Sequence, residues 1–221
     1  MNVFAHPSSK QKKIYTAMLL LGLAALFVTG FLINLHLKPA EVGSFCNLDD
    51  YWNCDRVNKS TFAELMGIPV SYLGFAFYSF LTISIVGLIK GIDFSKRLKP
   101  ITPNLLLAVT SIFASAGGLY LLFLEAPFLG NLTPLALTKT LIFTAAYLGI
   151  LKKFYTNKSG TTVFLAFLSI ITLFGVHFSL YLTDIELFVL EAICLFCLTQ
   201  QILIIFITGL GFYALKESNH G

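Results

Sequence analysis

Charge is scarce in this chain. Asp, Glu, Lys and Arg make up 12% of its 221 residues, while 57% are hydrophobic, against about a quarter charged in soluble domains. A soluble core of this size cannot hide so much apolar side chain, so a freely soluble globule is excluded and a bilayer must cover most of it. The net charge of +4 is too dilute for a nucleic-acid reader, and no basic stripe with interleaved aromatics occurs. No nucleic acid is expected as a partner. Cysteine is also sparse, with only Cys46, Cys54, Cys194 and Cys197. Neither cysteine segment holds a histidine, which weighs against zinc, and no metal site is expected. Charges and helix breaks at the midplane are few, which counts against the alternative of another class, a transporter or other non-enzymatic membrane protein with structural disulfides.

What is present is a set of six apolar segments, at about Ile14–Leu37, Pro69–Lys90, Pro103–Glu125, Pro134–Leu151, Thr162–Leu182 and Phe188–Leu215. Each can cross roughly 30 Å of hydrocarbon as a helix, and lipid leaves the backbone no other choice. The fold class is therefore all-α integral membrane, one membrane domain over 1–221 with six transmembrane helices. The first segment is too long for a signal-peptide core and no small-residue cleavage site follows it, so it reads as a retained helix. Basic residues flank alternate ends. The N-terminus, residues 90–99, residues 152–158 and the C-terminus hold eleven, against three (Lys38, Arg56 and Lys59) in the intervening loops. The positive-inside rule places both termini in the cytoplasm.

All four cysteines then fall outside, in the periplasm or an equivalent oxidising space where thiols exchange. Cys46 and Cys54 lie in the long polar loop after the first helix; Cys194 and Cys197 open the sixth. Three residues apart, the latter share a helix face. The helix N-terminus favours a thiolate there, and a lipid-soluble two-electron acceptor such as a quinone could reach it. One pair on a loop and one on a helix suggest an electron relay; two structural braces are the plainer alternative. Four cysteines allow three pairings, and spacing does not choose among them.

Several stretches together resemble the vitamin K epoxide reductase family. They are Cys46, Cys54-Asp55-Arg56-Val57-Asn58-Lys59-Ser60, Gly67-Ile68-Pro69, Gly74 and Tyr78, then Leu180-Tyr181-Leu182 and Ala192-Ile193-Cys194-Leu195-Phe196-Cys197-Leu198-Thr199. The resemblance implies a four-helix redox bundle over about 14–90 and 162–215, with an added helix pair at about 103–151. It implies that Cys197 lies next to the quinone, ubiquinone or menaquinone, and that Cys194 exchanges with Cys54. Cys46 would exchange with a separate periplasmic thioredoxin-fold protein. Ser60 would sit on a short half-helix capping the quinone pocket, and Pro69 would border that pocket at the start of the second helix. From the residues alone, Ser60-Thr61-Phe62-Ala63-Glu64 also reads as a capping box. The implied activity is a quinone-dependent thiol–disulfide oxidoreductase supporting disulfide formation, in a bacterial inner membrane. The alternative is thiol-driven reduction of vitamin K quinone or its epoxide. The chain departs from animal members at Gln200-Gln201-Ile202, where they have Thr-Tyr-Ala, and at Val70, near their Asn.

Other residues carry weaker expectations. His177 reads as a buried hydrogen-bonded histidine or a proton relay; Lys139 and Glu125 border the added helices. Tyr51 and Trp52 suit an interfacial belt or a shield over the loop cysteines. At an offset of 61 residues the added pair resembles the segments after it, with Thr133 and Ala136 in the places of Cys194 and Cys197 and Glu125 in that of Glu186.

Overall fold

The computed structural model describes residues 7–38, 44–92, 103–129, 133–154 and 160–218. Six helices are long and apolar enough to cross a membrane, in agreement with the six segments above. They are α1 (Ser9–Leu37), α3 (Val70–Ile89), α4 (Pro103–Leu129), α5 (Thr133–Phe154), α6 (Gly160–Phe188) and α7 (Leu195–Ser218). A short helix, α2 (Cys54–Asn58), a 3-10 turn (Thr61–Ala63) and a two-stranded hairpin, β1 (Glu64–Leu65) and β2 (Ile68–Pro69), fill the loop between α1 and α3. The side chains of Glu125 and Thr133 lie outside the described residues.

Packing follows residue size. α1 packs on α3 and α7, and α6 packs on α7, α4 and α5. At the α1–α3 contact a Cβ added to Gly22 would stand 2.9 Å from Thr82 Oγ1, so only glycine lets the helices approach that closely. Lys10 at the start of α1 pairs with Glu217 at the end of α7 at 2.8 Å, opposite the cysteine end. Large apolar side chains such as Phe27, Phe113 and Phe123 face outward, each more than 70% exposed; in a bilayer that surface is covered by lipid.

Three local readings are corrected. The fifth span does not stop at Leu182 but continues to Phe188, so Asp184 and Glu186 are helical and not in an outside loop. The sixth begins at Leu195 rather than Phe188. No capping box forms at Ser60: its hydroxyl donates to the Val57 carbonyl at 2.8 Å and caps nothing. The chain there turns back instead of entering a helix. Met66 and Gly67 both have positive φ, 54° and 77°, as the two-residue hairpin turn between β1 and β2 requires. The half-helix is α2, and Ser60 follows it.

Candidate functional site

The two cysteine segments are joined through their backbones. Ile193 N–H donates to the Tyr51 carbonyl at 2.6 Å, and Asn53 N–H donates to the Ile193 carbonyl at 3.1 Å. This is a parallel bridge between Trp52 and Ile193. Cys54 lies two residues past Trp52 and Cys194 one past Ile193, so the bridge brings the two cysteine segments together. Tyr51 and Asn53, on either side of Trp52, thus hold the loop against the start of α7 by main-chain bonds.

Cys46 and Cys54 form a disulfide, while Cys194 and Cys197 are thiols. Cys46, Cys54 and Cys194 are buried in one apolar cluster with Leu32, Leu35 and Ala192, and Cys197 packs against it. Phe196 packs on Phe31 in a tilted pair with ring centroids 4.4 Å apart, and Phe45 meets both rings. The rings shield this cluster. At the start of α7 the Cys197 N–H donates to Cys194 Sγ at 3.4 Å. The hydrogen bond from the Cys197 side chain lowers the Cys194 thiol below its ordinary value. Burial opposes this, the Cys197 and Phe196 N–H groups add to it, and Glu186 opposes it. Cys194 is thereby the readier nucleophile of the pair.

The disulfide loop is tied down by Asp55. Its Oδ2 accepts from Ser44 N–H at 2.9 Å and from the Asn47 amide at 2.7 Å, and Lys59 pairs with Oδ1 at 3.1 Å. Burial pushes the Asp55 carboxyl up, but Asn47, Ser44 and Lys59 outweigh it and hold the group below the ordinary carboxylate value. A depressed folded value contributes stability above the unfolded value near pH 4, lost as pH falls through the folded value. Hydrogen-exchange protection of the Ser44 amide should therefore be flat above about pH 4 and fall below it. Asp55→Asn should lower that protection about tenfold at neutral pH and remove its acid dependence; an unchanged profile would show that the loop does not depend on this charge.

Beneath the cysteines lies a cavity of about 350 Å³ between α1, α3, α4, α6 and α7, within the size range of small-molecule sites. Cys197, Ser60, Asn58 and Glu186 line it, and α4 contributes Gly117, Tyr120 and Leu121. Cys194 and the disulfide do not. Pro69 is not among the lining residues either; it ends β2, and its neighbours Val70 and Ser71 line the wall. Two buried oxygens in the lining, Ser71 Oγ and Gln200 Oε1, have no hydrogen-bond partner. Buried orphans are uncommon and point to a polar ligand. Position 70 is apolar, but position 71 beside it supplies a hydroxyl.

Sequence reading missed Ser71, Gln200 and Glu186. Glu186 is 6% exposed, its Oε2 accepts the Cys194 N–H at 3.1 Å, and it lines the same cavity as Cys197. The available signal was an acid near the end of an apolar run, eight residues before Cys194. His177 is fully buried but away from the cavity, stacked on Phe143 at 4.4 Å, with Tyr147 and Thr140 at 3.4 and 3.5 Å. That is the packed-histidine reading.

A family model described as the Vitamin K epoxide reductase family matches residues 16–151, more than half of the chain. The chain belongs to the vitamin K epoxide reductase family. The match takes in Cys46, Cys54, Ser60 and Pro69, runs through α4 and α5, and ends before Cys194. No curated protein and no solved structure matches the chain. Membership of the vitamin K epoxide reductase family implies oxidoreductase activity with a quinone. The cavity suits such a group: its wall is mostly apolar for the ring, and Ser71 Oγ and Gln200 Oε1 are polar atoms still lacking partners.

Proposed function

We propose that this protein oxidises a soluble thioredoxin-fold dithiol and passes the electrons to a membrane quinone, so driving disulfide formation. The observation that carries the reading is the position of Cys197. One buried cluster holds the Cys46–Cys54 disulfide beside Cys194, and only Cys197 of the four cysteines reaches the cavity. The partner dithiol reduces Cys46–Cys54 by attack at Cys46. Cys54 then exchanges with Cys194, and the electrons arrive at the Cys194/Cys197 pair. A quinone bound in the cavity supplies an acceptor for two electrons and two protons. Ser71, Gln200 and Ser60 orient it, and the aromatic shield over the cysteines keeps water from the exchanging sulfurs. The basic residues on the opposite side support an orientation with both termini in the cytoplasm and the cysteines in the periplasm, as in a bacterial inner membrane.

The test is quinone reduction by the purified protein in detergent, supplied with a dithiol thioredoxin-fold donor. Cys197→Ala should lose turnover by at least about a thousandfold. It should also accumulate a Cys54–Cys194 bridge, because Cys194 can attack Cys54 and no neighbour resolves the product. The attack leaves Cys46 as a thiol open to alkylation. Wild-type turnover in Cys197→Ala would remove the reading.

A further inference from the structure

Glu186 is a carboxyl group where a neutral amide would satisfy the same backbone. It lies in the last turn of α6, 6% exposed, and accepts the Cys194 N–H at 3.1 Å. Glutamine could accept that hydrogen bond equally well. Among the described residues no basic side chain pairs with Glu186. A lone buried carboxylate is costly, and an ionisable group within a membrane helix calls for a use. Its position supplies one. The carboxyl is held at the N–H of one cysteine of the pair and lines the cavity together with the other, Cys197.

We propose that Glu186 is a catalytic acid–base group that takes the proton of the Cys197 thiol and delivers it to a quinone oxygen. The inference rests on the quinone-reducing reading above. The step balances as follows. Oxidation of the Cys194 and Cys197 thiols to a disulfide breaks two S–H bonds, forms one S–S bond and releases two electrons and two protons. The quinone takes both electrons and becomes the quinol. Glu186 carries the Cys197 proton across to one oxygen and returns to its starting state; the other proton comes from the Cys194 side. The remaining titratable groups facing the cavity are the Tyr78 phenol from α3 and the Tyr120 phenol from α4. Asp184, on the same helix as Glu186, is paired with Lys139 of α5, and Asp55 of α2 is paired with Lys59. Among the described residues Glu186 is therefore the carboxyl group that lines the cavity with Cys197.

The experiment has two readouts. Quinone reduction is followed against pH in the wild type, Glu186→Gln and Glu186→Asp. Separately, the pH midpoint of Cys197 alkylation is measured without quinone in Cys194→Ala, with and without Glu186→Gln; the loop cysteines stay protected as the disulfide. Glu186→Gln should reduce quinone about 100-fold more slowly, lose one ionisation from the pH profile, and move the alkylation midpoint to lower pH because the negative neighbour has gone. Glu186→Asp should restore part of the rate. A purely structural role would leave the midpoint in place. The proposal is overturned if the wild type turns over and Glu186→Gln keeps its rate, or if the midpoint does not move. A wild-type chain that reduces no quinone overturns the underlying reading instead, and the unmutated protein reports that on its own.

Discussion

Cys194→Ala should stop electron flow between the two cysteine pairs while leaving the loop pair fully able to react with the donor. The donor dithiol should reduce Cys46–Cys54, and the loop should then stay reduced, because the cysteine that shares the buried cluster with Cys54 is gone. Steady-state quinone reduction should fall at least about a thousandfold, as for Cys197→Ala, since residues that act as a unit lose activity as a unit. The two variants differ in what they accumulate. With Cys197 replaced, Cys194 attacks Cys54 and is trapped in a mixed disulfide, and Cys46 becomes alkylatable. With Cys194 replaced, no bridge between the segments can form. Mass mapping of alkylated peptides separates the patterns. The burial of Cys54 and Cys194 in one cluster, with Cys197 beside it at the cavity wall, requires this difference. Equal mixed-disulfide yields from both variants would mean that either helix cysteine can meet the loop, and the assignment of Cys197 to the cavity would fail.

The long elements were legible because lipid permits so few solutions. Six apolar runs could only be helices, and the four cysteines and Ser60 were visible because their spacing is unusual. What could not be read depends on where helices end and on which way a side chain turns. The fifth apolar segment ends at Leu182, which leaves Glu186 beyond it; the helix continues to Phe188, and the two acids are held there by Lys139 and by the Cys194 N–H. Ser71 and Gln200 gave no motif, and their value lies in oxygens left without partners. The capping-box pattern at Ser60 failed because the chain turns through Met66-Gly67 into a hairpin rather than entering a helix. The family match adds one more point. The residues that carry the resemblance lie toward both ends of the chain, yet the match covers residues 16–151, four consecutive membrane helices.

The second helix pair is fastened to the bundle by an ion pair, and its removal should be costly. Lys139 of α5 meets Asp184 of α6, with side chains only 13% and 21% exposed. Asp184→Asn removes the carboxylate that faces the Lys139 ammonium. Breaking a fully buried pair from one side costs about 3–5 kcal/mol; the partial exposure here reduces that to about 2 kcal/mol, or a fall in Tm of roughly 4–8 °C for a chain of this size. Combining Asp184→Asn with Lys139→Met should recover most of the loss, because neither half of the pair is then left facing a missing partner. Thermal unfolding of the wild type, the two single variants and the double variant in one detergent closes the cycle. Strict additivity would show that the pair contributes nothing beyond its separate side chains. Quinone reduction at a temperature where every variant is folded should stay near the wild-type rate, because neither residue lines the cavity. Stability and turnover would then separate, as they must if α5 is a buttress and the redox chemistry belongs to the cysteines, Glu186 and the cavity walls.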